Sequence, residues 1–216
     1  DVLTGSGPVV TQTRIIPVFN AVETHYDIGA EITYGNIQSL QVSGYENLLN
    51  ELDIIVENSV LKLKYNTRYN RYRKGNVVAR IQVPALQKAT THGSGNISIS
   101  GFSTNDFATQ IHGSGNITAN NLTGCRFSAA INGSGNVEVQ NAKVQNASLA
   151  VYGNGWVKAQ GLDAVEVETE IQGSGHLFVT AANKLKATIR GSGNINYWGN
   201  PVVESRIEGS GKLIKR

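Results

Sequence analysis

A chain of 216 residues, 40% hydrophobic and 16% charged, can hold one large domain or two small ones and is too apolar for wholesale disorder. Its 24 glycines against 4 prolines point to many tight turns rather than to a collagen-like or linker sequence. The net charge of +3 is modest, no run approaches the ~18 apolar residues of a membrane helix, and the single Cys125 excludes an intrachain disulfide or a cysteine-clustered zinc site.

The chain opens at Asp1 and has no methionine, so a mature or trimmed form whose address signal has been removed is expected. Residues 1–85 carry strand signals without a visible repeat. A segment ending at Thr33–Tyr34 alternates, as do Val60–Tyr65 (VLKLKY) and Val77–Val83 (VVARIQV), while Gly44–Leu52 (GYENLLNEL) suits one or two helical turns. Charge divides sharply here: residues 1–61 hold eight acids and one base, whereas residues 62–80 hold seven bases and no acid. In that second stretch Tyr65, Tyr69 and Tyr72 interleave with Arg68, Arg71, Arg73 and Lys74. Such a pattern can grip phosphate or sulfate and stack on rings. The leading reading is a solvated loop that balances the acidic stretch. The alternative is polyanion binding, and since no nucleic-acid-binding signature accompanies the segment, the partner would be an acidic glycan or lipopolysaccharide rather than nucleic acid.

From Gly93 onward the chain repeats. Gly93, Gly113, Gly133, Gly153, Gly173, Gly191 and Gly209 each open a G-x-G triplet, at spacings of 20, 20, 20, 20, 18 and 18 residues. After each triplet comes an aliphatic column (Ile97, Ile117, Val137, Val157, Leu177, Ile195, Leu213), and a second alternating segment precedes the next triplet. Its last column reads Ile111, Ile131, Val151, Ile171, Ile189, Ile207. Alternation of period 2 means a strand with one face buried. One coil cannot bury that face alone, but stacked coils make a continuous interior. The pattern therefore predicts an all-β fold, a right-handed parallel β-helix (solenoid) with 18–20-residue coils and G-S-G-N corners over residues 86–216. At ~4.8 Å per coil the seven corners span roughly 30 Å. Residues 1–85 are expected to be irregular coils or a cap continuous with this rod. Beyond Leu213 no cap is evident, with Lys215 where the apolar column would point inward, so association of copies through this end is open.

The corner residues are structural in this reading: Gly93, Gly95 and Asn96; Gly113, Gly115 and Asn116; Gly133, Gly135 and Asn136; Gly191, Gly193 and Asn194. Glycine permits positive φ, a small serine leaves room for the next corner, and asparagines one coil apart can bond as a ladder. GSGN lacks the GK[ST] of a phosphate loop and leads into a strand, not a helix. Its serine is not placed as in a G-x-S-x-G elbow, and the corners lack the aspartate of calcium-binding nonapeptides. His25, His92, His112 and His176 show no ligand spacing, so no metal, cofactor or catalytic residue is expected. Glu166, Glu168 and Glu170 share one outer face, aligned with Asn146, Ser148 and Ala150 in the coil before and Lys184, Lys186 and Thr188 in the coil after. That is the setting of surface ion pairs rather than of an acid–base pair. Trp156, with Trp198 and Tyr152, is a candidate sugar platform.

The repeated GSGN corners, with Gly5–His25 (GSGPVVTQTRIIPVFNAVETH) and Glu57–Tyr65 (ENSVLKLKY), resemble the head-GIN domain family, described as auto-transporter adhesins of Bacteroidetes-type bacteria. The resemblance spans essentially the whole chain, and departs from it at GNGW (Gly153–Trp156), at GSGH (Gly173–His176) and in the two short coils. It implies an exported, β-helical protein of the cell envelope, held by a removed signal or lipid anchor, and supplies no catalytic motif. The leading expectation is a non-enzymatic surface protein whose outer faces bind glycan or another protein. The alternative, a carbohydrate-active enzyme of the pectinase or polysaccharide-lyase kind, rests on fold analogy alone.

Overall fold

A computed structural model describes all 216 residues. Apart from one helical turn at Glu46–Leu49, every regular element is a strand. The alternating segments build two long parallel stacks. One contains Lys88–Gly93, Ser103–Gly113, Thr123–Gly133 and Ala142–Gly153, continues through the later parts of Trp156–Gly173 and His176–Gly191, and ends at Val202–Glu208. The other contains Ile97–Ser100, Asn116–Asn120 and Asn136–Gln140, the earlier parts of the same two long strands, Asn194–Trp198 and Lys212–Lys215. This is a β-solenoid. Like residues stack on like: Ile111 pairs with Ile131, then Val151, Ile171, Ile189 and Ile207. All but Ile207 are fully buried, so the apolar interior runs unbroken along the rod. Inward threonines do not interrupt it, because Thr109 and Thr169 donate to the carbonyls of Ser128 and Lys186.

Each coil also has a short third side. Phe102, Leu122, Ala142 and Leu162 are its buried residues at one offset, and in the shortened coil the buried Ala181 pairs with Ala164 instead. The shortening to 18 residues falls here, at register shifts around Ala164, so both long stacks keep their alignment. The shift falls where the two long strands pass from one stack to the other, so the residues on either side of it stay on the same faces.

At the corners, the Gly133 backbone has φ +137°, and a Cβ there would lie 2.2 Å from the Gly113 carbonyl oxygen. That carbonyl accepts the N–H groups of Ser134 and Gly135, at 3.0 and 3.1 Å. Absence of a side chain is what lets successive corners close to hydrogen-bonding distance. Asn116 donates to Asn96 and Asn136 to Asn116, each at 3.0 Å, and the Asn136 carbonyl oxygen accepts the Trp156 N–H. The amide ladder stops at Trp156 and His176, after which Asn194 accepts only the Lys212 N–H.

The amino-terminal end does not follow chain order. Ala21–Tyr26 lies between Val60–Tyr65 and Lys88–Gly93, and Gly29–Tyr34 lies between Val78–Val83 and Ile97–Ser100. Residues 21–34 therefore form the coil that abuts the first regular repeat, with Tyr26 (φ +61°) in register with Gly93. Beyond it the pairing turns antiparallel, with Leu52–Glu57 on Val60–Tyr65, Ser39–Tyr45 on Val78–Val83, and Val9–Arg14 outermost. Leu48 and Leu49, from the helical turn, are fully buried and close the interior. At the other end Val202 and Ile207 are exposed. Lys215 does not point inward: it is exposed and its Nζ donates to Asn200 at 2.6 Å.

Candidate functional site

The basic, tyrosine-rich segment divides by strand alternation. Arg71–Arg73 is a short strand held by Val2–Thr4, with Tyr72 opposite Leu3. Period 2 turns Tyr72 inward and leaves Arg71 and Arg73 in solvent. Tyr72 stacks on Tyr65 with centroids 4.2 Å apart, Tyr69 meets Tyr72 edge-on at 5.8 Å, and Tyr26 lies 5.7 Å from Tyr65. Tyr65 is only 1% exposed and donates to Asp27, which corrects its reading as a surface platform: it anchors the cluster. Burial, reinforced by the Asp27 charge, pushes the Tyr65 hydroxyl well above the ordinary tyrosine range. Arg68 is drawn back onto Glu51 at 3.1 Å and lies over the Tyr69 ring. No carboxylate pairs with Arg71, Arg73 or Lys74. Lys74 sits at φ +52°, at the turn that ends this strand. Two exposed arginines on a strand backed by tyrosines, with the exposed Lys74 just beyond it, are what the segment presents.

Trp156 belongs to a different surface, between Asn136 and His176 in the second stack, with the Lys158 ammonium 4.4 Å over its ring. The structure does not bring it to the cationic corner.

Sequence reasoning missed a groove that runs along the rod on the outer face of the first stack. Its volume is 710 Å³, and it crosses successive coils from Lys88 through Asp106, Arg126 and Glu168 to Lys186. Consecutive exposed pairs, Asn105–Asp106, Cys125–Arg126 and Gln145–Asn146, interrupt the in–out alternation of each coil beside it. The signal was in the sequence, as a local break in alternation. Ion pairs cross its floor: Arg126 with Asp106 at 2.7 Å and Lys186 with Glu168 at 2.6 Å. Beyond it, Gln172, then Tyr152 and Arg190, hydrogen-bond Glu170 and hold its carboxyl below the usual range.

Also unforeseen is a row of imidazoles. His25, His92 and His112 occupy one outward column of three neighbouring coils, with centroid separations of 4.7 and 4.8 Å and nearly parallel rings. Glu23, two residues before His25 on the same face, places Oε1 2.7 Å from His25 Nε2 and 3.4 Å from His92 Nε2. Burial pushes the His92 imidazole down. Ligand spacing along the chain could not reveal this, since His25 and His92 meet only because residues 21–34 are placed out of chain order.

A family model described as "Putative auto-transporter adhesin, head GIN domain" matches residues 18–201. Among solved structures, a "putative adhesin" from Bacteroides fragilis superposes with a TM-score of 0.93 at 24% identity, covering 99% of this chain and 100% of that one. A "putative lipid binding protein" from Parabacteroides distasonis gives 0.83 at 26% identity, covering all of both chains. A "putative adhesin" from Parabacteroides merdae gives 0.78 at 21% identity, covering 100% of this chain and 99% of that one. No curated protein matches. With the stacked coils and G-x-G corners now on view, the match over most of its length shows that the chain belongs to the head GIN domain family of auto-transporter adhesin type.

Proposed function

We propose that this chain is a non-enzymatic cell-envelope protein of the adhesin kind, which binds acidic glycan through the cationic corner formed by Arg71, Arg73 and Lys74. The observation that carries this reading is that all three cations are exposed and unpaired while their strand is fixed by pairing and by tyrosine packing beneath. Sulfate or carboxylate groups on a glycan would meet two guanidinium side chains projecting from one paired strand, so the backbone that carries them needs no ordering on binding. Beside the groove Glu166 has no basic partner, but the other acids there and next to it support the non-enzymatic half. Asp106, Glu168 and Glu170 are all committed to basic partners, and the depressed Glu170 is a poor general acid.

Retention on heparin at low salt tests the reading. Arg71→Ser, Arg73→Ser and Lys74→Ser together should abolish it, because the interaction is electrostatic and screened. A control with the same loss of charge, Lys143→Ser, Lys158→Ser and Lys212→Ser, should remain retained. Unchanged retention of the first variant, or equal loss in the second, would overturn the site. Release of reducing ends from any polysaccharide would overturn the non-enzymatic assignment.

A further inference from the structure

We propose that Glu23, His25 and His92 form a binding site for one divalent transition-metal ion of the zinc, nickel or copper class. The three side chains offer one ligand atom each, and these atoms all lie within 4.8 Å of one another. Two imidazole nitrogens converge on a single carboxylate oxygen, at 2.7 and 3.4 Å. A tetrahedral ion with bonds of ~2.0–2.1 Å holds its ligand atoms about 3.3 Å apart, so the two imidazoles, stacked at 15° with centroids 4.7 Å apart, must tilt toward each other on binding to aim both lone pairs at the ion. The backbone positions are already set, because His25 and His92 are register partners on adjacent strands and Glu23 precedes His25 by two residues on the same face.

The donor set selects the class of metal. Two imidazoles and one carboxylate suit borderline transition metals, whereas calcium asks for six to eight oxygens. The side chains are 28%, 36% and 25% exposed for His25, His92 and Glu23, which shelters the ligands yet leaves a coordination position open to water or to a donor on another molecule. Of the nearby cations, Lys62, the register partner of Glu23, is turned onto Glu57 at 2.8 Å, and Lys88 lies four residues before His92 on the same strand. His112, stacked on His92, is exposed and stands one coil further along, where it flanks the ion rather than completing the set.

The test is calorimetric titration of the full chain, free of affinity tags and stripped with chelator, with zinc, nickel, copper and calcium salts. One equivalent of a transition metal should bind and calcium should not. Outer-shell partners alone change metal affinity by about 10–100-fold, so His25→Asn or His92→Asn should weaken binding by about 100-fold or more. Asparagine suits this column, since Asn132 is the register partner of His112, and circular dichroism of the variants checks the fold. Glu23→Gln should weaken binding, and His176→Asn should leave it unchanged. With copper bound, electron paramagnetic resonance should show coupling to two nitrogens, falling to one in either histidine variant. Absence of saturable binding of any of the three metals by the unmodified chain up to about 1 mM overturns the proposal. So does equal affinity in the folded His25→Asn/His92→Asn double variant.

Discussion

Three glycines separate the two reasons why the corners exclude side chains. Gly101 has φ +88°, but a Cβ there would meet nothing nearer than Tyr34 Cβ at 3.5 Å, so Gly101→Ala incurs only backbone strain. Gly135 lacks a positive φ, but its Cβ would lie 2.1 Å from the Gly115 oxygen, so Gly135→Ala incurs only the contact. Gly133→Ala incurs both. Holding alanine in a glycine-only backbone region costs about 1–3 kcal/mol. Pushing the coils apart forfeits the two hydrogen bonds to the Gly113 carbonyl, together about 1–3 kcal/mol. Gly133→Ala should therefore lose about 2–6 kcal/mol, and each of the other two about half of that. The stiffer unfolded chain offsets up to ~1 kcal/mol equally in all three. With a urea dependence of ~2 kcal/mol/M, the Gly133→Ala midpoint should fall by about 1–3 M. Equilibrium unfolding followed by circular dichroism reads this directly. If Gly133→Ala is no less stable than Gly101→Ala, close carbonyl stacking is not what fixes the corner.

Two further outcomes follow from the ladder and the buried tyrosine. Asn136→Ala removes the donor to Asn116 and the acceptor for the Trp156 N–H, both partly open to water, and should cost about 1 kcal/mol by urea unfolding. A change within 0.2 kcal/mol would mean that the ladder is ornamental. Tyr65 is held protonated in the fold by burial and then by Asp27, so its folded pKa lies above its unfolded value of about 10. The sign follows: its contribution is complete below pH ~10 and is lost as pH rises beyond that, because the unfolded chain releases this proton first. Tyr65→Phe should flatten the fall of the unfolding midpoint between about pH 10 and 11.5, and identical slopes in the two proteins would refute the assignment.

The rod was legible because its energetics repeat. Columns such as Ile111–Ile131–Val151 must be apolar in every coil, and Gly113, Gly133 and Gly153 must lack a side chain for the same steric reason. Seven instances of one constraint make a signal that a single strand would not. Register follows too, since in a solenoid it is a fixed offset along the chain: Lys186 lies opposite Glu168 and pairs with it, whereas Lys184, opposite Glu166, pairs with Glu204 in the next coil instead. The first eighty-five residues obey no such offset. Their strands alternate visibly, but nothing in Ala21–Tyr26 states that it will sit beside Lys88–Gly93 rather than beside the segment that follows it. The basic segment fell between these cases. Interleaved tyrosine and arginine looked like one mixed surface, whereas period 2 sends Tyr72 inward and Arg71 and Arg73 outward.

Inward positions in such a rod are fixed by packing, so chemistry must reside where outward columns stop repeating. The column that begins His25, His92, His112 continues as Asn132, Tyr152, Gln172, Arg190 and Glu208. With coils ~4.8 Å apart, each member touches only its neighbours, so one outer face can carry a cluster of imidazoles at one end and an ion-paired network at the other. At the far end Arg190 bridges Glu170 and Glu208, and Arg206 also pairs with Glu208, so two cations balance two carboxylates there. Near the amino-terminal end Glu23 faces two imidazoles with only half-buried walls, the one place in the column where an acceptor-rich set converges on a single point. The out-of-order coil creates that convergence by supplying Glu23 and His25 from a segment more than sixty residues before His92. The out-of-order coil at the end of the regular stack thus joins it to the antiparallel strands beyond, and it ends the outer column on the residues proposed to hold the metal.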